Sequence, residues 1–148
     1  MMKRILIFLL VCFGLNQVSA APLRDTHEES LGKLMDSLSA AFVKQDKNWL
    51  AANLTDDCTL SDPSGITLAK ADIIKAFSPQ GVYTLTKMTP VNMKYTVKDA
   101  EGSGSGNIEL EGAMSAQEVV DVSGTYGIRA TFKKTDAGWK VSSITVTQ

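Results

Sequence analysis

Few side chains in this sequence are placed to do chemistry, and the best placed is Asp62. It lies near the end of LTDDCTLSDPSG, residues Leu54 to Gly65. That stretch reads as the end of a helix, a short strand over 58–62 and a tight turn. Successive strand side chains point to opposite faces, so Cys58, Leu60 and Asp62 share one face and Thr59 and Ser61 the other. A carboxylate in line with two apolar side chains would be desolvated, which suits a general base. A structural reading competes with this. Asp62-Pro63-Ser64-Gly65 has the residue preferences of a type I turn, and an aspartate at its first position bonds to its own turn.

Other reactive groups are scarce. Cys58 on the inward face reads as a small buried hydrophobe rather than a nucleophile. His27 is the sole histidine and there are two cysteines, too few for a His/Cys metal cluster, and nothing brings His27 to Cys58 as a catalytic pair. Residues Asp99 to Gly106, DAEGSGSG, read as a flexible hairpin connection. They form neither a phosphate loop nor a dinucleotide fingerprint, because no lysine and no helix follow them. No metal and no cofactor is expected.

The start of the chain reads as an export signal. Lys3 and Arg4 precede an apolar run from Ile5 to Phe13, and Val18-Ser19-Ala20 supplies the small-x-small pattern for cleavage before Ala21. The apolar run is too short to remain as a membrane span. The expected organisation is a signal peptide over 1–20 and one domain over 21–148, in a secreted or periplasmic protein without a membrane attachment. Cleavage removes two of the 15 bases and none of the 16 acids. The resulting net charge of about −3 argues against nucleic acid and anionic membranes as partners. It also leaves Cys58 alone, so an internal disulfide is not expected and the core must hold the fold.

The elements that position Asp62 follow from periodicity. Thr26 and Glu29 form a capping box, and Leu31, Leu34, Met35, Leu38, Ala41 and Phe42 recur at helical spacing to about Lys44. Asp46 caps a shorter helix containing Trp49 and Leu50. A third helix is expected from about Leu68 to Phe77, stopped by Ser78 to Gly81. The remainder is strand-like. Pro90 fits an edge or a bulge. Val91, Met93, Tyr95 and Val97 face inward, as do Ile108, Leu110 and Met114. Val120 to Phe132 is the longest clean period-two run, with Tyr126 inward. In the last strand, Trp139 and Val141 fall out of phase with Ile144 and Val146, which predicts a bulge near Ser142-Ser143. The class is α+β, with three N-terminal helices packed on one face of a curved, mainly antiparallel sheet. A helix laid across a curved sheet leaves a hollow, expected to be lined by Cys58, Leu60, Asp62, Met93, Tyr95, Met114 and Tyr126.

The order of these pieces resembles the NTF2-like superfamily. The carriers are F-x-x-x-D at Phe42 to Asp46, LTDD at Leu54 to Asp57, the strand ending in DPSG, and FKKTDAGWKVSSI at Phe132 to Ile144. Within that superfamily the chain is most similar to the small SnoaL-like and DUF4440-like domains. The resemblance implies a cone around a deep apolar pocket, often a dimer through the sheet. The superfamily includes ketosteroid isomerase, polyketide cyclases, dehydratases and transport adaptors, so fold alone does not give function. DDCTLSDP resembles the isomerase motif DDATVEDP, which places the general base on Asp62. The isomerase's oxyanion-binding tyrosine and protonated aspartate then fall on Leu38 and about Ala130, neither of which can donate a hydrogen bond. The expected function is therefore binding of a small, mostly apolar molecule without catalysis, with a homodimer as a companion property. The alternatives are a cofactor-free isomerase or lyase using Asp62, and a dimerisation or protein-interaction domain with a closed pocket.

Overall fold

The structure is a computed structural model that describes residues 26–148; the expected signal peptide over 1–20 lies outside the described residues. Helix α1 runs His27–Lys44. Thr26 Oγ1 accepts the Glu29 N–H at 3.2 Å at its start, and Gln45 in a left-handed conformation ends it. Its stripe of Leu31, Met35, Leu38, Ala41 and Phe42 is buried. Helix α2, Lys47–Asn53, is capped by Asp46, whose carboxylate accepts the Trp49 N–H at 3.1 Å.

Strand β1, Leu54–Ser61, follows α2 directly. Thr55 to Asp57 are thus strand, not the helix end expected from sequence. Two tertiary contacts make the switch. Leu54 pairs with Val141 across the sheet, and the Lys70 ammonium donates to the carbonyls of Ala51 and Leu54 at 2.8 and 2.9 Å, satisfying backbone acceptors where the helix ends.

Strand β2, Thr67–Ala69, folds back antiparallel on β1 and pairs Leu68 with Leu60. The third helix, α3, is accordingly Lys70–Ala76 and starts later than its apolar pattern suggests. Five strands complete the sheet: β3 Tyr83–Lys98, β4 Glu101–Ser115, β5 Val119–Asp121, β6 Gly124–Thr135 and β7 Gly138–Thr147. The order is β2-β1-β7-β6-β4-β3, with β5 paired to β4. Among the described residues only the β1–β7 pairing is parallel. Three helices on a mainly antiparallel open sheet give the expected α+β architecture.

Pro90 lies in β3, at an edge of the sheet, where the hydrogen-bond donor it lacks is not needed. The predicted bulge is present: Thr131 pairs with Ser143 while Phe132 pairs with Val141, so Ser142 is the extra residue. Its insertion lets Val141 and Ile144 both face the core. Two expectations are corrected. The hairpin connection is only Asp99-Ala100, and the glycines of GSGSG belong to β4. The run from Val120 to Phe132 is broken at Val122-Ser123, where the Val122 N–H donates to the Gly112 carbonyl at 3.0 Å and the Ser123 hydroxyl oxygen accepts the Gly112 N–H at 3.1 Å.

The glycines of β4 have a packing reason. One inward row crosses the sheet through Leu60, Ile144, Ala130, Gly104 and Tyr95. A Cβ on Gly104 would stand 2.7 Å from the Tyr95 ring, and one on Gly102 would stand 2.7 Å from Leu31 Cδ1 of α1. Helix α1 and the large side chains of β3 therefore settle into a glycine trough. Gly112 is tighter still. At φ 155° its added Cβ would run into the Thr84 carbonyl oxygen and lie 2.8 Å from Leu85 Cα, both backbone atoms. Gly112→Ala is expected to destabilise by about 3 kcal/mol and Gly104→Ala by about 1 kcal/mol, since a ring can shift and a paired strand cannot. Urea unfolding of both variants measures this; equal costs would show that the β3–β4 backbone gives way.

Candidate functional site

A cavity of about 470 Å³ opens between the C-terminal end of α1, the turn after β1 and the inward face of the sheet. Phe42 reaches it from α1, and Phe77, just beyond α3, continues the wall. The Phe42 and Phe77 rings lie 4.3 Å apart, and Phe77 stacks on Tyr83 at 4.8 Å, within 11° of parallel. The Gln45 side-chain amide fixes this wall by donating to the carbonyls of Ser78 and Tyr83 at 3.1 and 3.3 Å. The floor is apolar: Leu85 and Met88 of β3, Leu110 and Met114 of β4, Ile144 and Val146 of β7. Asp62, Ser64, Val120, Asp121 and Tyr126 also line it.

Asp62 closes its own turn. Its Oδ1 accepts from the Ser64 N–H at 2.9 Å, the Ser64 hydroxyl at 2.6 Å and the Ile66 N–H at 3.0 Å. The Asp62 carbonyl accepts the Gly65 N–H at 3.0 Å and the Asp62 N–H donates to the Ile66 carbonyl at 3.0 Å. The side chain still borders the cavity, and its charge reaches the aromatic wall. Burial raises the Tyr83 phenol above its ordinary value, and the charge of Asp62 and then Tyr126 adds to the shift. The Tyr126 hydroxyl donates to the Val122 carbonyl at 2.8 Å and ties β6 to the segment after β5.

Solved structures of several proteins share this architecture. An NTF2-like protein from Cytophaga hutchinsonii superposes with a TM-score of 0.73 at 24% identity, over 84% of this chain and 98% of that one. The chain has the NTF2-like fold. An NTF2-like protein of unknown function in nutrient uptake from Rhodospirillum rubrum gives 0.69 at 17% identity, over 79% and 96% of the two chains. A putative calcium/calmodulin-dependent kinase II association domain from Exiguobacterium sibiricum gives 0.66 at 14% identity, over 79% and 88%. No family model matches the chain, and no curated protein does. At these identities the likeness is one of fold, and the NTF2-like fold serves proteins of unlike function.

Of the seven residues expected to line the hollow of this NTF2-like fold, the cavity brings together Leu60, Asp62, Met114 and Tyr126. Cys58, Met93 and Tyr95 lie elsewhere. Met93 and Tyr95 lie across the glycines of β4: a Cβ on Gly106 would stand 2.7 Å from Met93 Sδ, and Tyr95 packs near Gly32 of α1 and 6.3 Å from the Phe132 ring. That part of the gap beneath α1 is filled by side chains, so the hollow survives only toward the other end. Burial raises the Tyr95 phenol, with Asp36 adding to the shift. Cys58 is 1% exposed in the core, and burial, then the charge of Asp57, pushes its thiol up to about 11. It carries almost no thiolate at neutral pH and is a core residue. His27 packs edge-on against Trp139 at 5.6 Å, outside the cavity. Leu38 and Ala130, the positions an isomerase would use to hold an oxyanion, are both 0% exposed and apolar.

The sequence reading missed Phe42, Phe77 and Tyr83 as a wall. The first two carried only the signal of helix core, and their stacking depends on where α3 ends.

The turn role of Asp62 can be separated from any other. Asp62→Ala removes the acceptor of three hydrogen bonds and is expected to cost about 1–3 kcal/mol. Asp62→Asn keeps an acceptor oxygen and is expected to stay within about 1 kcal/mol of wild type. Urea denaturation distinguishes the two; an alanine variant as stable as wild type would remove the turn assignment.

Proposed function

We propose that this NTF2-like chain is an exported, non-enzymatic protein that holds a small, mostly apolar molecule in the cavity beside Asp62. The observation that carries the reading is the cavity itself. Its volume of about 470 Å³ and its walls of Phe42, Phe77, Leu85, Leu110 and Met114 fall within the range and character of small-molecule sites. Two observations weigh against a proton-transfer enzyme. Asp62 Oδ1 is occupied by its turn, and the positions equivalent to an oxyanion hole hold Leu38 and Ala130, so developing negative charge would meet no donor there. The open cavity weighs equally against a closed interaction domain.

Export and dimerisation complete the proposal. The leader pattern over 1–20 supports export. No helix among the described residues is long and apolar enough to cross a membrane. The outward face of the sheet supports pairing of two copies. One row across five strands is Thr59, Ser143, Thr131, Ser103 and Thr96, short hydroxyl side chains that let a second surface approach closely. The Exiguobacterium protein's description as an association domain is in keeping with self-assembly on this fold.

The binding reading is tested with a neutral fluorescent lipophile. Nile red is expected to bind saturably at one site per chain, and Leu110→Trp, which fills the floor, is expected to weaken it at least about tenfold with the circular dichroism unchanged. Wild-type protein that binds neither Nile red nor any neutral lipophile in a thermal-shift panel would remove the proposal. Protein recovered from its native compartment is expected to begin at Ala21 and to have a dimer's mass by light scattering. A chain beginning at Met1, or a monomer's mass, removes the corresponding half.

A further inference from the structure

The rim of the cavity carries charge of one sign. Asp62 and Asp121 both border it, and among the described residues no lysine, arginine or histidine lines it. Neither carboxylate swings freely. Asp62 is held by its turn, and Asp121 Oδ1 accepts the Ser123 N–H at 2.9 Å. Hydrogen bonds from Ser123 keep the Asp121 carboxyl below its usual range, so it stays charged through neutral pH. Tyr83 and Tyr126 line the cavity with these charges, while Phe77 lies between the Phe42 and Tyr83 rings. The Met88 and Met114 thioethers supply polarisable surface.

These groups discriminate among apolar molecules by the charge of the polar end. Ring faces attract cations, most strongly where water is displaced. Fixed carboxylates attract the same cations and repel anions, and the half-buried Asp62 is screened less than the exposed Asp121. A neutral ligand gains only the apolar contact. The upward shift of Tyr83 caused in part by Asp62 is an internal sign that negative potential extends into the cavity.

Building on the ligand-binding reading above, we propose that the cavity selects a lipophilic cation. Its ammonium or quaternary amine stands at the rim beside Asp62 and Asp121. Its apolar tail lies along Phe77, Leu110 and Met114.

Three probes, each built on a nine-carbon chain and differing in the head, test this: nonyltrimethylammonium, nonanol and nonanoate, titrated calorimetrically into the full chain at low ionic strength. The cation is expected to bind at least about tenfold more tightly than either other probe. Its advantage is expected to fall to about threefold in Asp121→Asn, in Asp62→Asn, and in wild type near 1 M salt. Nonanol or nonanoate binding as tightly as the cation would overturn the charge selection and leave the ligand-binding reading standing. A cation preference that persists undiminished in both variants would overturn the assignment to these carboxylates. Binding of none of the three by protein that still binds Nile red would overturn the cation reading alone.

Discussion

The structure depends on how closely α1 can approach the sheet. A helix rests on a β-sheet only where the sheet offers low relief, and here the relief is lowered by glycine. Gly102 and Gly104 of β4 leave space that Leu31 and Tyr95 enter, with no room for a Cβ in between. Close-packed contact of this kind, repeated along Leu31, Met35 and Leu38, supplies the dispersion and apolar burial that hold helix to sheet. Strand β4 sacrifices side chains and their β-propensity to make this possible.

The same packing divides the gap beneath α1 into two regions. Where Met93 and Tyr95 lie flat over the glycines, the interior is solid. Toward Phe42, β4 carries Ile108, Leu110 and Met114 instead, an extra residue of β3, Thr86, interrupts the register opposite Gly112, and β5 pairs with the end of β4. Side chains there stand on the sheet rather than fold across it, and a hollow remains. Stacking of Phe42, Phe77 and Tyr83 keeps the wall from collapsing into that space. A ligand cavity in this protein is therefore the counterpart of a well-packed helix: glycine at one end of β4 and bulk at the other produce both.

Asp62 illustrates how one residue can serve local structure and site electrostatics together. Its Oδ1 satisfies donors of Ser64 and Ile66 that the turn would otherwise leave to solvent. Its charge nevertheless acts over a longer range than a hydrogen bond, and adds to the upward shift of the Tyr83 phenol. A turn aspartate at the mouth of an apolar hollow can set the charge preference of that hollow without taking part in any reaction.

Much of this was legible in local residue patterns. The capping box at Thr26, the stripe from Leu31 to Phe42, the phase slip that required a bulge at Ser142, and the turn built by Asp62 all depend on neighbours within a few positions. Periodicity and turn chemistry determine such features directly. The sequence alone also determined that Cys58 and Leu60 point inward, because strand alternation leaves them no other face. Only the tertiary structure decided the rest. Glycines that suggest a mobile loop became strand because Tyr95 and Leu31, distant along the chain, press on them. Thr55 to Asp57 became strand because β7 pairs with Leu54 and Thr59 on either side of them and Lys70 holds the Leu54 carbonyl. Met93 and Tyr95 have the inward phase expected of cavity residues, yet the cavity lies elsewhere. Phase specifies a face of the sheet, whereas the position of empty space along that face depends on the summed volumes of side chains from α1, β3 and β4, a quantity that no local pattern contains.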